Sequence, residues 1–255
     1  MTSEALWVYA VRRADTALPE LPGVAGEKLR TVGAAGLSAV VGAVPLPDFG
    51  VESLARHLND LDWLAATART HNAVIEAVAY DSTAIPVRLA VIFRDDESVR
   101  ALLTEHRDEF DAALDLVEGR AEWGVKAFLR RPAVAEPAAA PSSGADYLRR
   151  RREALHRNRT EREIAEKTAD EIYHALSPFA VGARTRPAVD PSLSGFAEPM
   201  LLNAAYLVDD ARSGEFLSAV AELTAAHPEI TIERTGPWLP YSFVGGVGDI
   251  AGDFA

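Results

Sequence analysis

The second half of the chain alternates strand-like and helix-like patterns in an order that few folds accommodate. From residue 118 the order is strand, helix, strand, strand, helix, strand. The first of these segments, 121–129, alternates apolar with polar residues, as a half-buried strand does. Two helices on one face of an antiparallel sheet produce this order. The sequence therefore predicts an α+β fold whose C-terminal domain is a modified ferredoxin-like βαββαβ sandwich with a long helix.

The long helix of this domain has a basic beginning. Its pattern starts at Asp146 and ends at about Leu176, before Ser177-Pro178. At about 1.5 Å per residue it is about 45 Å long, more than the strands it would cover. The first turns, with Arg149, Arg150, Arg151 and Arg152, are therefore expected to overhang the sheet. Residues 131–145 are rich in proline and alanine without periodicity, so a flexible loop is predicted there.

The strands of the first half predict a separate α+β domain. An apolar run over residues 5–13 predicts a buried strand, and residues 85–93 predict another. The runs 27–32 and 37–44 lie on either side of a glycine-containing turn, which favours a hairpin. Together with the helices described next, they predict an N-terminal domain over residues 1–117.

Two helices are predicted in this first domain. Apolar residues at three- and four-residue spacing predict one helix from about 51 to 80, with Asp48 as its cap. Asp95 and Asp96 precede a second helical pattern that ends before Gly119. The ferredoxin-like domain then covers residues 118–244, and residues 245–255 are predicted to be a flexible tail.

Composition excludes several kinds of site. The chain has no cysteine, which excludes disulfides, thiolate nucleophiles and cysteine metal sites. Its formal net charge of -12 argues against general nucleic-acid binding, which needs a basic surface. The first residues lack the pattern of a signal peptide, and no apolar run approaches the roughly 18 residues of a membrane span. We therefore expect a cytoplasmic protein that binds neither nucleic acid nor membrane.

Catalytic patterns are missing from the sequence. His71 and His106 lie on predicted helix faces, where a histidine is usually a structural residue. Asp60 and Asp62 are two positions apart on a helix, so their carboxylates point apart. The glycines of residues 245–248 have no helix after them to complete a phosphate loop. We predict that the protein is not an enzyme and holds neither a metal nor a cofactor.

Residues 236–244, Gly-Pro-Trp-Leu-Pro-Tyr-Ser-Phe-Val, predict a stiff elbow after the last strand, which is predicted over 230–234. Two prolines fix their own φ angles and restrict the residue before each of them. The elbow is expected to carry Trp238, Tyr241 and Phe243 outward. Such an element either caps a core or presents anchors to a partner.

The elbow, together with the strand Asn203–Val208, closely resembles the C-terminal signature of the gas vesicle GvpF/GvpL family. Residues 61–75 and the following Ile85-Pro86-Val87-Arg88-Leu89 are similar to the family's first-domain pattern. Val87 and Leu89 stand where leucine and phenylalanine are commoner in the family. The resemblance covers nearly the whole chain.

This resemblance implies an accessory protein of gas vesicles, the hollow protein organelles that give cells buoyancy. It implies two α+β domains, no catalytic residues, and location at the gas vesicle. It also implies binding to the hydrophobic shell subunit GvpA, and to other accessory proteins, during nucleation or assembly.

We hypothesise that a partner surface includes Trp238, Pro240 and Tyr241 with the turn Arg149 to Arg152, because aromatic residues are the usual anchors of interfaces. The alternative for Trp238 is a structural plug packed between the two domains.

Two other functions stay open at this point. A ferredoxin-like regulatory domain would bind a small ligand between helix and sheet. It would need a glycine-lined pocket at a strand–helix turn, where this chain has Asp209-Asp210. An enzyme that uses carboxylates alone would need an acidic pair at a suggestive spacing, which the sequence does not offer.

Overall fold

A computed structural model describes residues 4–13, 17–130, 143–187 and 199–245. The protein has a mixed α/β fold with antiparallel sheets, divided into two compact units. The first unit comprises Met1–Arg120 and Leu239–Ala255, and the second comprises Ala121–Trp238. Most of the predicted loop 131–145 and of the predicted tail 245–255 lies outside the described residues.

The division differs from the predicted domain ranges at the C-terminal end. The sequence analysis places residues up to 244 in the second domain, whereas the chain from Leu239 onward belongs to the first unit. The physical reason is apolar burial. Leu239 and Tyr241 pack against one core cluster of the first unit, and Val244 is buried in the other.

The sheet of the first unit is built around its first strand. The strands are β1 (Glu4–Arg12), β2 (Leu29–Ala34), β3 (Leu37–Pro45), β4 (Ala84–Pro86) and β5 (Ile92–Phe93). The order is β2-β3-β1-β4, and β5 also pairs with β1; these pairs are antiparallel. The predicted hairpin is confirmed as β2 and β3. Its two turn residues, Ala35 and Gly36, both have positive φ, as a two-residue hairpin turn of type I′ requires.

The prediction of one strand over 85–93 is wrong. The chain forms β4 and β5 and leaves the sheet between them, because the eight residues from Pro86 to Phe93 lie opposite only five residues of β1, Leu6 to Ala10. Ala90 has a φ of 67°, which turns the chain back toward the sheet. The excursion keeps its backbone hydrogen bonds to β1, since Val87 N–H donates to the Tyr9 carbonyl and Val8 N–H donates to the Val91 carbonyl.

The helices described in this unit are α1 (Leu46–Phe49), α2 (Val51–His57), α3 (Leu61–Asp81), α4 (Asp96–Glu105) and α5 (Arg107–Val117). The predicted helix over 51–80 is interrupted, because Asp60 caps a new helix by accepting from the Asp62 and Trp63 amides. The predicted cap Asp48 lies inside α1. The cap Asp95 is confirmed, since its side chain accepts from the Ser98 amide.

β1 is buried on both faces and separates two apolar clusters. Leu6 and Val8 belong to the cluster that includes residues of α4 and α5. Trp7 and Tyr9 belong to the cluster that includes residues of α3. Successive strand residues point to opposite faces, so a strand covered on both sides has an unbroken apolar sequence. This explains why β1 reads as a continuous apolar run.

His71 is a buried polar residue in the core of this unit. Its Nδ1 accepts a hydrogen bond of 3.0 Å from the Trp7 indole, so the proton of the neutral ring lies on Nε2. Nε2 lies 2.9 Å from the Val87 carbonyl and donates to it. Burial lowers the pKa of His71 to about 4, although the bond to Val87 acts in the opposite direction. The prediction of a structural histidine is confirmed, and the residue joins α3, β1 and the excursion after β4.

In the described residues of the second unit there are four strands and two long helices. They are β6 (Arg120–Leu129), α6 (Gly144–Leu176), β7 (Gly182–Thr185), β8 (Met200–Asp209), α7 (Ser213–Ala226) and β9 (Ile230–Trp238). The sheet order is β7-β8-β6-β9, with β6 and β9 antiparallel and β7 and β8 antiparallel.

Both helices bury apolar residues against this sheet. Ile172 of α6 and Phe216 of α7 share a cluster with Trp123, Val125 and Tyr206 of the strands. The first strand after α6 begins only at Gly182, because residues 177–179 form a 3-10 turn after the helix. Among the described residues, the elements follow the predicted order.

The candidate partner-binding surface

Trp238 is the last residue of an edge strand that is longer than predicted. β9 continues from the predicted 230–234 through Thr235, Gly236 and Pro237 to Trp238. It pairs with β6, where Trp238 stands opposite Glu122, and a register shift lies between Glu122 and Gly124. The Gly236-Pro237 peptide bond is cis. The first part of the elbow therefore belongs to the sheet, which fixes the position of Trp238.

Gly236 lies against the neighbouring strand more closely than any other residue type allows. Its φ is 117°, a conformation that L side chains rarely adopt. A Cβ at this position would lie 2.8 Å from the Glu122 carbonyl oxygen and 3.3 Å from Cε3 of Trp123. The glycine thus permits the close pairing of β9 with β6 beside Trp238.

The residues beneath this corner of the sheet are aromatic and charged. Trp123 is buried, with its ring 6.2 Å from that of Phe216. The Arg234 guanidinium lies 5.5 Å from the centre of the Trp123 ring, within the range of a cation–π contact. These contacts hold both strands in place on the side of the sheet that faces the helices.

The burial of Glu122 differs from the pattern predicted for β6. The alternation predicts an outward-facing Glu122, but the residue is only 4% exposed. Its carboxylate forms an ion pair with Arg186, which follows β7. The Arg186 amide also donates to the Asn203 carbonyl of β8. The periodicity could not reveal this pair, because Arg186 is distant in sequence and meets Glu122 only through the strand order.

Trp238 is 55% exposed. A structural plug would be buried, so the exposure favours the other hypothesis, a side chain available to a partner. Pro237 beside it is also exposed. A large aromatic side chain on a backbone fixed by strand pairing loses little conformational freedom on binding, which suits an interface anchor.

The second part of the elbow caps a core. Pro240, Phe243 and Val244 are buried, so the prediction that Phe243 projects outward is wrong. Two tight backbone hydrogen bonds, from Tyr241 to Leu239 and from Phe243 to Pro240, fold the segment into a turn that points these side chains inward.

Tyr241 is held in a partly buried position on the first unit. Its hydroxyl donates to Oδ1 of Asn72 on α3, over 3.1 Å. Burial, with a smaller effect of Glu76, raises the pKa of the Tyr241 phenol above its usual value. Tyr241 therefore stays neutral at any ordinary pH and acts as a hydrogen-bond donor.

The predicted partner residues lie on different elements. Trp238 ends β9, whereas Pro240 and Tyr241 belong to the first unit. The four arginines lie on α6, where Arg149, Arg151 and Arg152 are exposed. The Arg150 side chain is outside the described residues. Only Trp238 combines high exposure with a backbone fixed by the sheet.

Within the described parts of the chain, no three acidic or histidine side chains are grouped so that they could hold a metal ion. The same residues include no helix that is both long and apolar enough to cross a lipid bilayer.

Comparisons with known proteins agree on one family. The family model for the gas vesicle synthesis protein GvpL/GvpF matches residues 5–245. Gas vesicle protein L of Streptomyces sp. (strain CB03234) is 42% identical over 252 residues, which is 96% of this chain and 94% of that protein. Gas vesicle protein F1 of Halobacterium salinarum is 26% identical over 246 residues, 95% of this chain and 93% of that protein.

A solved structure has the same fold. The crystal structure of the gas vesicle protein GvpF from Anabaena sp. PCC7120 matches with a TM-score of 0.67 at 17% identity, covering 95% of this chain and 96% of that chain. The predicted resemblance is confirmed by a family model that spans nearly the whole chain. The chain is a member of the gas vesicle GvpL/GvpF family, whose proteins are structural and accessory proteins of gas vesicles.

Proposed function

We propose that this protein binds the gas vesicle shell subunit GvpA in the cytoplasm and supports nucleation or assembly of the vesicle. The observation that carries the proposal is the exposed Trp238 on a strand end fixed by pairing with β6. Family membership supports a role among gas vesicle proteins. The choice of GvpA is what the family resemblance implies, and physical complementarity supports it.

A subunit that polymerises into a gas-filled shell presents a large apolar surface before it is assembled. Such a surface aggregates unless a partner covers it. A protein with a net charge of -12 stays soluble while it offers a local apolar anchor. Trp238 supplies that anchor, and the adjacent strand edge supplies backbone groups for an added strand of the partner.

The other proposed partner residues have supporting roles. Pro240 is buried, so it contributes by fixing the backbone after Trp238. Tyr241 is partly exposed and contributes to the surface while its hydroxyl stays bonded to Asn72. The arginines of α6, Arg149 to Arg152, supply positive charge for an acidic segment of a partner.

Replacing Trp238 with alanine is expected to abolish co-purification with GvpA while the protein stays folded. Truncating an aromatic anchor at an interface costs about 2 kcal/mol or more of binding free energy, which is at least about thirty-fold in affinity. An exposed residue contributes little to stability, so the melting temperature should change by only a few degrees. Pull-down with tagged GvpA and thermal unfolding measure the two effects separately.

Tyr80→Ala provides the matched control, because Tyr80 is also aromatic and is 89% exposed, on α3. This variant should bind GvpA as the parent protein does. If both variants lost GvpA binding equally, any exposed aromatic residue would contribute to binding. If Trp238→Ala still bound GvpA, the proposed anchor would be rejected.

We also propose that the second unit is a modified ferredoxin-like sandwich. The support is the sheet order β7-β8-β6-β9, with α6 and α7 contributing to one cluster against it. When the strands are numbered in chain order within the unit, they lie across the sheet in the order 2-3-1-4. The second and fourth strands are then at the edges, next to the third and the first, as a βαββαβ sandwich requires. Among family subtypes we propose the L type, supported by the 42% identity to a gas vesicle protein L.

A further inference from the structure

The first half of α6 exposes every side chain that the structure describes. The helix has 33 residues, and among its described side chains the first buried one is Ala165. Beyond that point Ala169, Ile172 and Leu176 pack into the core of the second unit. Described residues before Ala165 include Leu148 and Leu155, two large apolar side chains that are more than half exposed. This half of the helix therefore offers a surface that the unit's core does not use.

The charges of α6 change sign at one point along the helix. Gly144 to Arg162 contain seven arginines and three carboxylates. Glu163 to Leu176 contain four carboxylates and one lysine. The first part is thus strongly basic and the second part acidic, in a protein whose net charge is -12.

This distribution does not stabilise the helix itself. Positive charge is unfavourable toward a helix N-terminus and negative charge toward its C-terminus. The pairs Arg159–Glu163, Arg162–Glu166 and Lys167–Glu171 all have the basic residue first, the weaker order for i,i+4 pairs. The paired side chains are at least half exposed, and such pairs contribute little to stability.

Seven of the exposed apolar and charged residues share one face. Leu148, Arg152, Leu155, Arg159, Arg162, Glu166 and Asp170 follow one another at three- or four-residue spacing. At about 100° per residue, this face lies roughly 100° around the helix from Ile172 and Leu176, which pack against the sheet. Along the face, the sign of the charge reverses between Arg162 and Glu163.

We infer that α6 pairs antiparallel with α6 of a second copy of this chain. A two-fold axis between Arg162 and Glu163 places Arg162 opposite Glu163 of the second copy. The same axis places Arg159 opposite Glu166 of the second copy. Such an interface is self-complementary, as a two-fold symmetric contact must be. The inference does not use Trp238, on which the proposed binding to GvpA depends.

A second copy fits this face better than an unrelated acidic partner. An acidic partner would match only the basic half and would be repelled by the acidic half. A second copy in the antiparallel orientation matches both halves with one set of residues. Leu148 and Leu155 add apolar area at the two ends of the contact, where they would otherwise remain exposed.

The full-length protein is expected to form a dimer whose dissociation constant is on the order of 10 µM, measured by sedimentation equilibrium. Raising the salt concentration from about 0.05 M to about 0.5 M should weaken the dimer at least about ten-fold, because the contact is mainly electrostatic. The double variants R159E/R162E and E163R/E166R should each weaken self-association at least about ten-fold, since both remove the complementarity.

Mixing the two double variants should restore a dimer that contains one copy of each, because one face is then acidic and the other basic. The quadruple variant R159E/R162E/E163R/E166R should dimerise like the parent protein, since it exchanges the charges and keeps the match. Circular dichroism should show equal helix content throughout, because the four side chains are exposed. A parent protein that is monomeric at about 100 µM, or a dimer unaffected by these changes, would overturn the inference.

Discussion

Replacing His71 with alanine is expected to lower the free energy of unfolding by about 3–5 kcal/mol. The substitution removes a ring that is 2% exposed and leaves a cavity beneath α3. It also removes the acceptor for the Trp7 indole and the donor to the Val87 carbonyl. Each buried polar group left without its partner adds to the cost of the cavity. Denaturation by guanidinium chloride, followed by far-UV circular dichroism, measures the loss.

Two further variants separate the cost of the cavity from the cost of the lost hydrogen bonds. His71→Phe keeps most of the volume but offers no nitrogen to Trp7 or Val87, so its destabilisation reports the hydrogen bonds. His106→Ala is the control, because this histidine lies at the exposed junction between α4 and α5. We expect it to change stability by less than about 1 kcal/mol. A His71→Ala protein as stable as the parent would show that the buried bonds contribute nothing.

The same histidine makes stability depend on pH. The pKa of His71 is about 4 in the folded protein, below the value of roughly 6.5 expected for the unfolded chain. Between these two values the unfolded chain binds a proton that the folded protein does not bind. The contribution of the neutral, buried His71 to stability is therefore complete above about pH 6.5 and is lost as the pH falls toward 4. At about pH 5 the loss is roughly 2 kcal/mol.

Comparing the parent protein with His71→Phe isolates this effect from the titration of carboxylates. The free energy of unfolding of the parent should fall more steeply than that of His71→Phe between about pH 7.5 and pH 5. The difference between the two slopes grows as the pH falls and approaches one proton near pH 5. Parallel curves would mean that His71 is not buried in its neutral form.

Much of the first unit could be predicted from residue periodicity. The predictions that were wrong depend on contacts between residues that are distant in sequence. The strand β1 and the hairpin of β2 and β3 were predictable because their apolar residues are contiguous in sequence. In the interruption between β4 and β5, the Val87 carbonyl accepts from His71, which is 16 residues away in sequence and meets it only in the folded protein. Local pattern gives no signal for such a bond.

The candidate site shows the same limit. The sequence leaves Trp238 open as an anchor or a plug and gives no reason to treat Phe243 differently, since both are aromatic residues of one proline-rich segment. Strand pairing exposes the first, and the turn after Pro240 buries the second. Glu122 was assigned to solvent because its partner Arg186 is 64 residues away. Residue type indicates which side chains could contribute to an interface. Whether each of them is exposed depends on the strand order and on the turns.

Replacing Gly236 with alanine is expected to destabilise the second unit by about 3 kcal/mol. An alanine at φ 117° is strained, and its Cβ would lie 2.8 Å from the Glu122 carbonyl oxygen. That oxygen is part of the paired strand β6, so it cannot move aside as the end of a flexible side chain could. The end of β9 must then separate from β6, and Trp238 loses its fixed position. Hydrogen exchange of the β6 and β9 amides would detect the separation.

Two other glycines separate the cost of the strained backbone conformation from the cost of the close approach. Gly119 has a φ of 63° with no atom within 4 Å of the added Cβ, so Gly119→Ala should cost only the conformational part, about 1 kcal/mol. Gly214, in the first turn of α7, has neither a positive φ nor a close neighbour. Gly214→Ala should therefore be neutral or stabilising by up to about 1 kcal/mol. If Gly236→Ala costs no more than Gly119→Ala, β9 accommodates a side chain at this position. The close approach would then not be what fixes Trp238, and the rigid anchor would need another explanation.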